Sequence, residues 1–221
     1  IDFSSMIELR RPQHKVAEKL LENDRAILEA KPGFGKTIVA IYCIKKRKQP
    51  TLIIVHTKEL LHQWKKRLEE FFSLKKGDIW LIGDNKWEVG KKITIASYQT
   101  LARNGCDEIK DKFGFVVIDE CHHVPAKTFT DVVAGLPAKF VLGLTATAIR
   151  KDKLERLMPF YIGPIIKAEH ESLPDETGLS ENTGEQSVAT TVIIHKTDFQ
   201  QKKFAHFHEL GDFLIKNTQR N

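Results

Sequence analysis

Ala30-Lys31-Pro32-Gly33-Phe34-Gly35-Lys36-Thr37 decides how the rest of this chain is read. The apolar run Ala26-Ile27-Leu28 leads into it, and Ile38-Val39-Ala40-Ile41 follows in a helix-compatible pattern. A strand, a glycine turn and a helix start are the context of a phosphate-binding loop. Gly33 and Gly35 let the backbone turn its N–H groups inward, and the next helix points its positive end at the same spot. In such a loop Lys36 reaches the β- and γ-phosphates of a bound nucleotide and the Thr37 hydroxyl holds magnesium. The usual pattern opens with glycine where this chain has Ala30, so the match is to a variant.

Outward from the loop, short β-rich runs alternate with helical ones. Glu8 to Asn23 spaces Leu9, Val16, Leu20 and Leu21 along one helical face, with Pro12 in the first turn, where a missing N–H costs little. Gln13 on this helix carries an amide that both donates and accepts, as reading an adenine edge requires; an exposed surface glutamine is the plainer alternative. A helix after the loop runs to about Lys48 and stops at Gln49-Pro50. Thr51 to Val55 reads as a buried parallel strand, and Lys58 to Phe72 as a helix capped by Thr57 with Leu60, Leu61, Trp64 and Leu68 in its apolar stripe. Further strands are expected at Asp78–Gly83, Lys92–Ala96, Phe115–Ile118 and Lys139–Gly143. Helical stretches lie between most of them, which predicts a doubly wound α/β domain with a mostly parallel sheet and helices on both faces.

In that architecture ligands bind beyond the carboxyl ends of the strands. The Gly-Lys-Thr turn, Asp119-Glu120 and Thr145-Ala146-Thr147 each follow a predicted strand, so they are expected at one sheet edge. A carboxylate pair there suits phosphate hydrolysis: one carboxylate holds the magnesium of Mg-ATP through water, and the other orients and deprotonates the attacking water. Lys36, Asp119 and Glu120 are therefore the candidate catalytic residues.

The chain has 221 residues, 41% hydrophobic and 29% charged, long for one domain and short for two. No apolar run approaches the ~20 residues of a membrane span, and the amino end lacks a signal-peptide pattern. A reducing, cytoplasmic or nucleoid-associated setting is expected, with Cys43, Cys106 and Cys121 as free thiols rather than zinc ligands or disulfides. Net charge is +6, compatible with a polyanionic partner. Basic clusters at Lys45-Lys46-Arg47-Lys48, Lys65-Lys66-Arg67 and Lys75-Lys76 each have a solvated helix face as the plainer reading. Glu171 to Ser187 is acidic and turn-rich without periodicity, which predicts an exposed loop. Val188–His195 and Gln200–Asn217 then return as a strand and a helix.

Six motifs resemble, in order, those of superfamily 2 helicases of the DEAD/DEAH type, in the branch holding type III restriction subunits and excision-repair translocases. They are Leu9-Arg10-Arg11-Pro12-Gln13; the phosphate loop; Val55-His56-Thr57-Lys58-Glu59-Leu60 with Gln63-Trp64; Ser97-Tyr98-Gln99-Thr100-Leu101; Asp119-Glu120-Cys121-His122-His123; and Leu144-Thr145-Ala146-Thr147. They span Leu9 to about Arg150, roughly two-thirds of the chain. The resemblance implies a first RecA-like domain that uses ATP and magnesium. It assigns Gln13 to adenine, and Pro32, Gly33, Phe34, Gly35, Lys36 and Thr37 to the phosphates, with Thr37 and Asp119 on the magnesium side and Glu120 as the base that activates water. His122, Thr145 and Thr147 couple nucleotide state to domain movement. Thr57, Ser97, Gln99 and Thr100 contact the nucleic-acid backbone, with DNA preferred to RNA as the partner and no membrane. Helix capping is the plainer role for Thr57, and core packing for Trp64 and Tyr98.

Departures from the family pattern are Ala148 in place of proline, no glycine near Lys153, and His56 where proline is common. The expected organisation is a RecA-like domain over residues 1–168, an acidic loop over 169–187, and a closing strand and helix over 188–221. The last of these, with Ile162-Gly163-Pro164-Ile165, leads towards a second RecA-like domain in the same full-length polypeptide. Without that domain's arginine fingers the lobe is expected to turn ATP over slowly. A nucleotide- or nucleic-acid-binding module without efficient turnover, or a P-loop ATPase outside the helicases, are the alternatives. The Gln13 segment and Thr145-Ala146-Thr147 count against the latter.

Overall fold

Leu52 and Ile54 pack on one side of a central sheet while Ile53 and Val55 pack on the other, and all four are buried. Burial on both faces is why this strand reads as an unbroken apolar run instead of an alternation. The structure, a computed structural model, describes residues 3, 7–72, 74, 77–123, 131–133, 135–146 and 157–168. All belong to the chain's first unit, Ile1–Glu171. Thr147, the Ala148 and Lys153 departures, the acidic loop and the closing strand and helix lie outside the described residues.

The elements run α1 (Arg11–Leu21), β1 (Arg25–Glu29), α2 (Lys36–Arg47), β2 (Thr51–Val55), α3 (Lys58–Phe71), β3 (Ile79–Gly83), β4 (Lys86–Trp87), β5 (Ile93–Ser97), α4 (Tyr98–Asn104), β6 (Phe115–Ile118), a 3-10 turn (Cys121–His123), β7 (Phe140–Thr145), α5 (Leu157–Tyr161) and β8 (Ile165–Lys167). The strands form one sheet in the order β4-β3-β5-β2-β6-β7-β1-β8. Every pairing is parallel except β3 with β4. Side chains of α1, α2 and α3, including Val16, Val39, Leu61 and Trp64, fill one face with Ile53, Val117 and Leu144. Leu101 of α4 and Met158 of α5 fill the other with Ile27, Ile54 and Ile118. This is the doubly wound α/β sheet expected.

Strand order positions the site. β2 lies between β5 and β6, with Val55 opposite Ser97 and Ile54 opposite Ile118. β1 lies beside β7, with Glu29 opposite Thr145. Residues that follow β1, β2, β5, β6 and β7 therefore emerge along one edge.

Several elements differ from expectation. β7 runs two residues further than predicted, so Thr145 is its last residue and not part of a following turn. Pairing of Leu28 with Leu144 and Glu29 with Thr145 extends it. β5 runs one residue further than predicted, to Ser97, and Tyr98-Gln99-Thr100 opens α4 directly after it. β4, α5 and β8 are additional, and Ile165, expected in an outgoing connection, starts β8 on the free side of β1. β3 and β4 are joined by Asp84 and Asn85 at φ 51° and 61°, a two-residue turn of the type that matches sheet twist.

Gly163 sets the entry into β8. It has φ 137°, and a Cβ there would collide with the Arg25 carbonyl group. Its neighbour Pro164 accepts a hydrogen bond from the Ile27 N–H at 2.8 Å. Gly163→Ala is expected to cost about 3 kcal/mol, lowering the thermal midpoint by roughly 6–12 °C, from backbone strain plus overpacking. Thermal unfolding followed by circular dichroism checks this; an unchanged midpoint contradicts it.

Candidate active site

Two cavities open on the common strand edge. The first, of about 650 Å³, is lined by Pro32, Gly33, Gly35, Lys36 and Thr37 from the glycine loop and by Asp119 and Glu120 beyond β6. Gln13 of α1 and Trp64 and Arg67 of α3 complete it. Each predicted nucleotide-site residue except Phe34 faces this cavity. Phe34 is turned so that its carbonyl accepts from Gln13 Nε2 and Arg10 Nη2, both at 2.7 Å.

Gln13 is buried, not exposed, and Oε1 accepts from the Arg10 N–H at 3.0 Å. Its Oε1 therefore caps the start of α1, and its Nε2 braces that helix against the loop. At Gly35 φ is 94°, and a Cβ would lie 2.5 Å from Gln13 Nε2, so that side chain fills the space beside the glycine. The loop is held open for phosphate by packing as well as by backbone conformation.

Lys36 Nζ donates to the Ala30 carbonyl at 3.2 Å and lies 3.8 Å from Glu120 Oε1. The other Glu120 oxygen, Oε2, is buried without a hydrogen bond among the described residues and lies 3.3 Å from His122 Nδ1. His122 Nδ1 is in turn 2.9 Å from the Thr145 hydroxyl. One polar path thus runs from the loop lysine through Glu120 and His122 to the end of β7. Glu120 has φ 45°, a costly conformation for a residue with a Cβ, at the point where β6 breaks into the 3-10 turn.

Asp119 is buried. Its Oδ1 accepts from the Glu120 N–H at 3.0 Å and its Oδ2 from the Trp64 indole N–H at 2.7 Å. Burial pushes its carboxyl above the usual range and the Glu120 charge adds to this, whereas the indole bond and Lys36 pull it back. A fixed carboxylate with the Thr37 hydroxyl on one cavity wall is an oxygen donor set suited to magnesium, and the loop and Lys36 suit a nucleotide phosphate chain. Cys43, Cys106 and Cys121 are buried free thiols, and burial pushes Cys43 and Cys121 up to about 12.

The second cavity, of about 640 Å³, brings together Thr57, Ser97, Gln99 and Thr100, the four predicted nucleic-acid contacts. The Thr57 hydroxyl accepts from the Leu60 N–H at 3.2 Å, so the capping role is realised, and it also hydrogen-bonds the Glu59 carboxylate. Ser97 Oγ donates to Gln99 Oε1 at 2.8 Å, and Gln99 Nε2 donates to the His56 carbonyl, tying the ends of β2 and β5 together. Lys58, Lys86 and Arg103 line the same groove. Tyr98 is buried, as core packing predicts. The Asp119 N–H donates to the Ile54 carbonyl at 2.9 Å, joining the turn that lines the first cavity to β2, which leads into Thr57 of the second.

Sequence reasoning treated Trp64 as core and missed it as the partner of Asp119. The available signal was an indole N–H in an otherwise apolar stripe, which needs a hydrogen-bond acceptor once buried. Arg10 and Arg67 were also missed as cavity residues.

Known proteins place these motifs. Residues 6–150 match the family described as type III restriction enzyme, res subunit. The chain is 34% identical over 160 residues to the DNA 3'-5' translocase XPB2 of Sulfurisphaera tokodaii, covering 72% of this chain and 35% of that protein. A protein of Acanthamoeba polyphaga mimivirus named as an ATP-dependent RNA helicase is 34% identical over 173 residues, covering 76% of this chain and 33% of that one. Among solved structures, the UvsW helicase from Bacteriophage T4 superposes with a TM-score of 0.66 at 22% identity, over 76% of this chain and 64% of that one. The chain spans about a third of the length of these curated relatives. With the six motifs in order and the strand order that brings them to one edge, the chain belongs to the type III restriction res-subunit family, as a first RecA-like domain of the superfamily 2 helicase type.

Proposed function

We propose that this lobe is the nucleotide-binding half of an ATP-driven nucleic-acid motor, a helicase or translocase. The observation that carries the reading is the pair of cavities on one strand edge. One holds Lys36, Thr37, Asp119 and Glu120, the other Thr57 and Ser97 to Thr100, and β2 lies between them.

In this reading the glycine loop and Lys36 bind the phosphates of ATP, while Thr37 and Asp119 hold magnesium. When bound, magnesium supplies charge neutralisation at the β- and γ-phosphates. Glu120 orients water and takes its proton, with the Lys36 ammonium 3.8 Å from its Oε1. Gln13 reads the adenine edge after exchanging its bonds to Arg10 and Phe34. His122 and Thr145, with Thr147 beyond them in sequence, pass nucleotide state to a second RecA-like domain of the full-length polypeptide. The matched region covers only about a third of those relatives, which supports that second domain. Thr57, Ser97, Gln99 and Thr100 contact the nucleic-acid backbone, and Lys58, Lys86 and Arg103 add positive charge. DNA is favoured as the track by the name of the Sulfurisphaera tokodaii relative.

ATPase rates of the full-length polypeptide and of the 221-residue chain, each alone and with single-stranded DNA, duplex DNA or RNA, test this. Expected are DNA stimulation of the full-length rate and turnover by the shorter chain about 10³-fold slower, for lack of a finger from the second domain. Brisk DNA-stimulated turnover by the shorter chain overturns the two-domain requirement. Tight nucleotide binding without turnover by the full-length polypeptide makes this a binding module instead. Stronger stimulation by RNA than by DNA reverses the choice of track.

A further inference from the structure

We propose that Trp64 is a positioning residue for the magnesium-side carboxylate: its indole N–H fixes the rotation of Asp119 so that the remaining lone pairs face the phosphate loop. Trp64 sits two turns into α3, is 2% exposed, and is packed with Leu61 and Leu68 against the sheet. It therefore cannot swing away. Its Nε1 donates to Asp119 Oδ2 at 2.7 Å, a short bond from a neutral donor to a carboxylate. On the other side the Glu120 N–H holds Oδ1 at 3.0 Å.

Each oxygen thus carries one fixed donor, and the donors come from different elements. The Glu120 N–H belongs to the same turn as Asp119 and moves with it. The indole is anchored in α3 and gives the carboxylate a reference outside its own strand. A carboxylate with two free torsions loses the most when ordered onto a metal; one already clamped loses less. A donor on a rigid, buried ring supplies that clamp without bringing a charge that competes with the metal.

The proposal rests on Asp119 acting on the magnesium side, and its test separates the two claims. ADP affinity of the full chain is measured by titration with magnesium present and with EDTA, for the wild type, Trp64→Phe and Asp119→Asn. A fourth protein carries β-(3-benzothienyl)alanine at position 64, which keeps the indole shape and replaces the N–H by sulfur. The magnesium concentration giving half of the gain in affinity is expected to rise by about ten- to a hundredfold in both position-64 variants. Affinity in EDTA is expected to stay at the wild-type value.

An equal loss with and without magnesium makes the bond structural only and overturns the proposal. So does wild-type magnesium dependence in the benzothienyl protein, which decides the matter even where Trp64→Phe fails to fold. Wild-type magnesium dependence in Asp119→Asn instead removes Asp119 from the magnesium side, and the proposal falls with it.

Discussion

Glu120→Gln in the full-length polypeptide is expected to lower ATP turnover by about 10²–10⁴-fold, the range of a lost general base, with nucleotide affinity nearly unchanged. An amide keeps the size of the carboxylate and its place after Asp119, but it cannot accept a proton from water. Its electrostatic effects are small beside that. The ion pair with Lys36 is long, at 3.8 Å, and the approach to His122 Nδ1, at 3.3 Å, makes no hydrogen bond. Removing the charge also frees Lys36 for phosphate, which holds affinity up while the rate falls. Steady-state ATPase assays paired with nucleotide titrations check both halves. An unchanged rate means that another group activates the water.

Lys36→Ala acts on the opposite half of the cycle: binding is lost before chemistry begins. The ammonium adds a full positive charge to what the loop's backbone N–H groups and the start of α2 offer a phosphate. Losing two charge-assisted contacts to phosphate costs about 3 kcal/mol, roughly a hundredfold or more in Kd. The variant also leaves the partly buried Glu120 without its nearby cation, so substitution adds repulsion towards the triphosphate. Calorimetric titration of the chain with ATP measures the effect. Wild-type affinity in Lys36→Ala excludes this cavity as the nucleotide site.

Residues 30–37 and Asp119-Glu120 were legible because each is a local pattern: a glycine turn between strand and helix, and carboxylates at the end of an apolar run. Their meeting at one edge followed from the parallel architecture alone. The Trp64–Asp119 bond was not legible. Helical spacing marks Trp64 as buried but says nothing of which group, 55 positions along, receives its N–H. Thr57 shows a different limit, since a helix cap and a backbone contact call for the same hydroxyl at the same place. β8 was hidden because Gly163-Pro164 reads as a turn, and its three residues are strand only through their pairing with β1. α4 was hidden because its first residues carry the Ser-Tyr-Gln-Thr motif, which lacks helical periodicity over so short a length.

The two outermost strands carry a consequence for handling the lobe at high concentration. A bare parallel edge recruits other chains by backbone pairing, the first step of aggregation. Here one margin is a two-residue strand bearing exposed Lys86, and the other a three-residue strand preceded by Pro164 and bearing exposed Lys167. Both are too short and too charged to template a neighbour. Cutting the chain ahead of Gly163 strips that guard from β1, leaving the Ile27 N–H and the Glu29 carbonyl, now bonded to Pro164 and Ala168, open to a second molecule. The shortest well-behaved fragment of this lobe therefore ends beyond Ala168, not at the last motif.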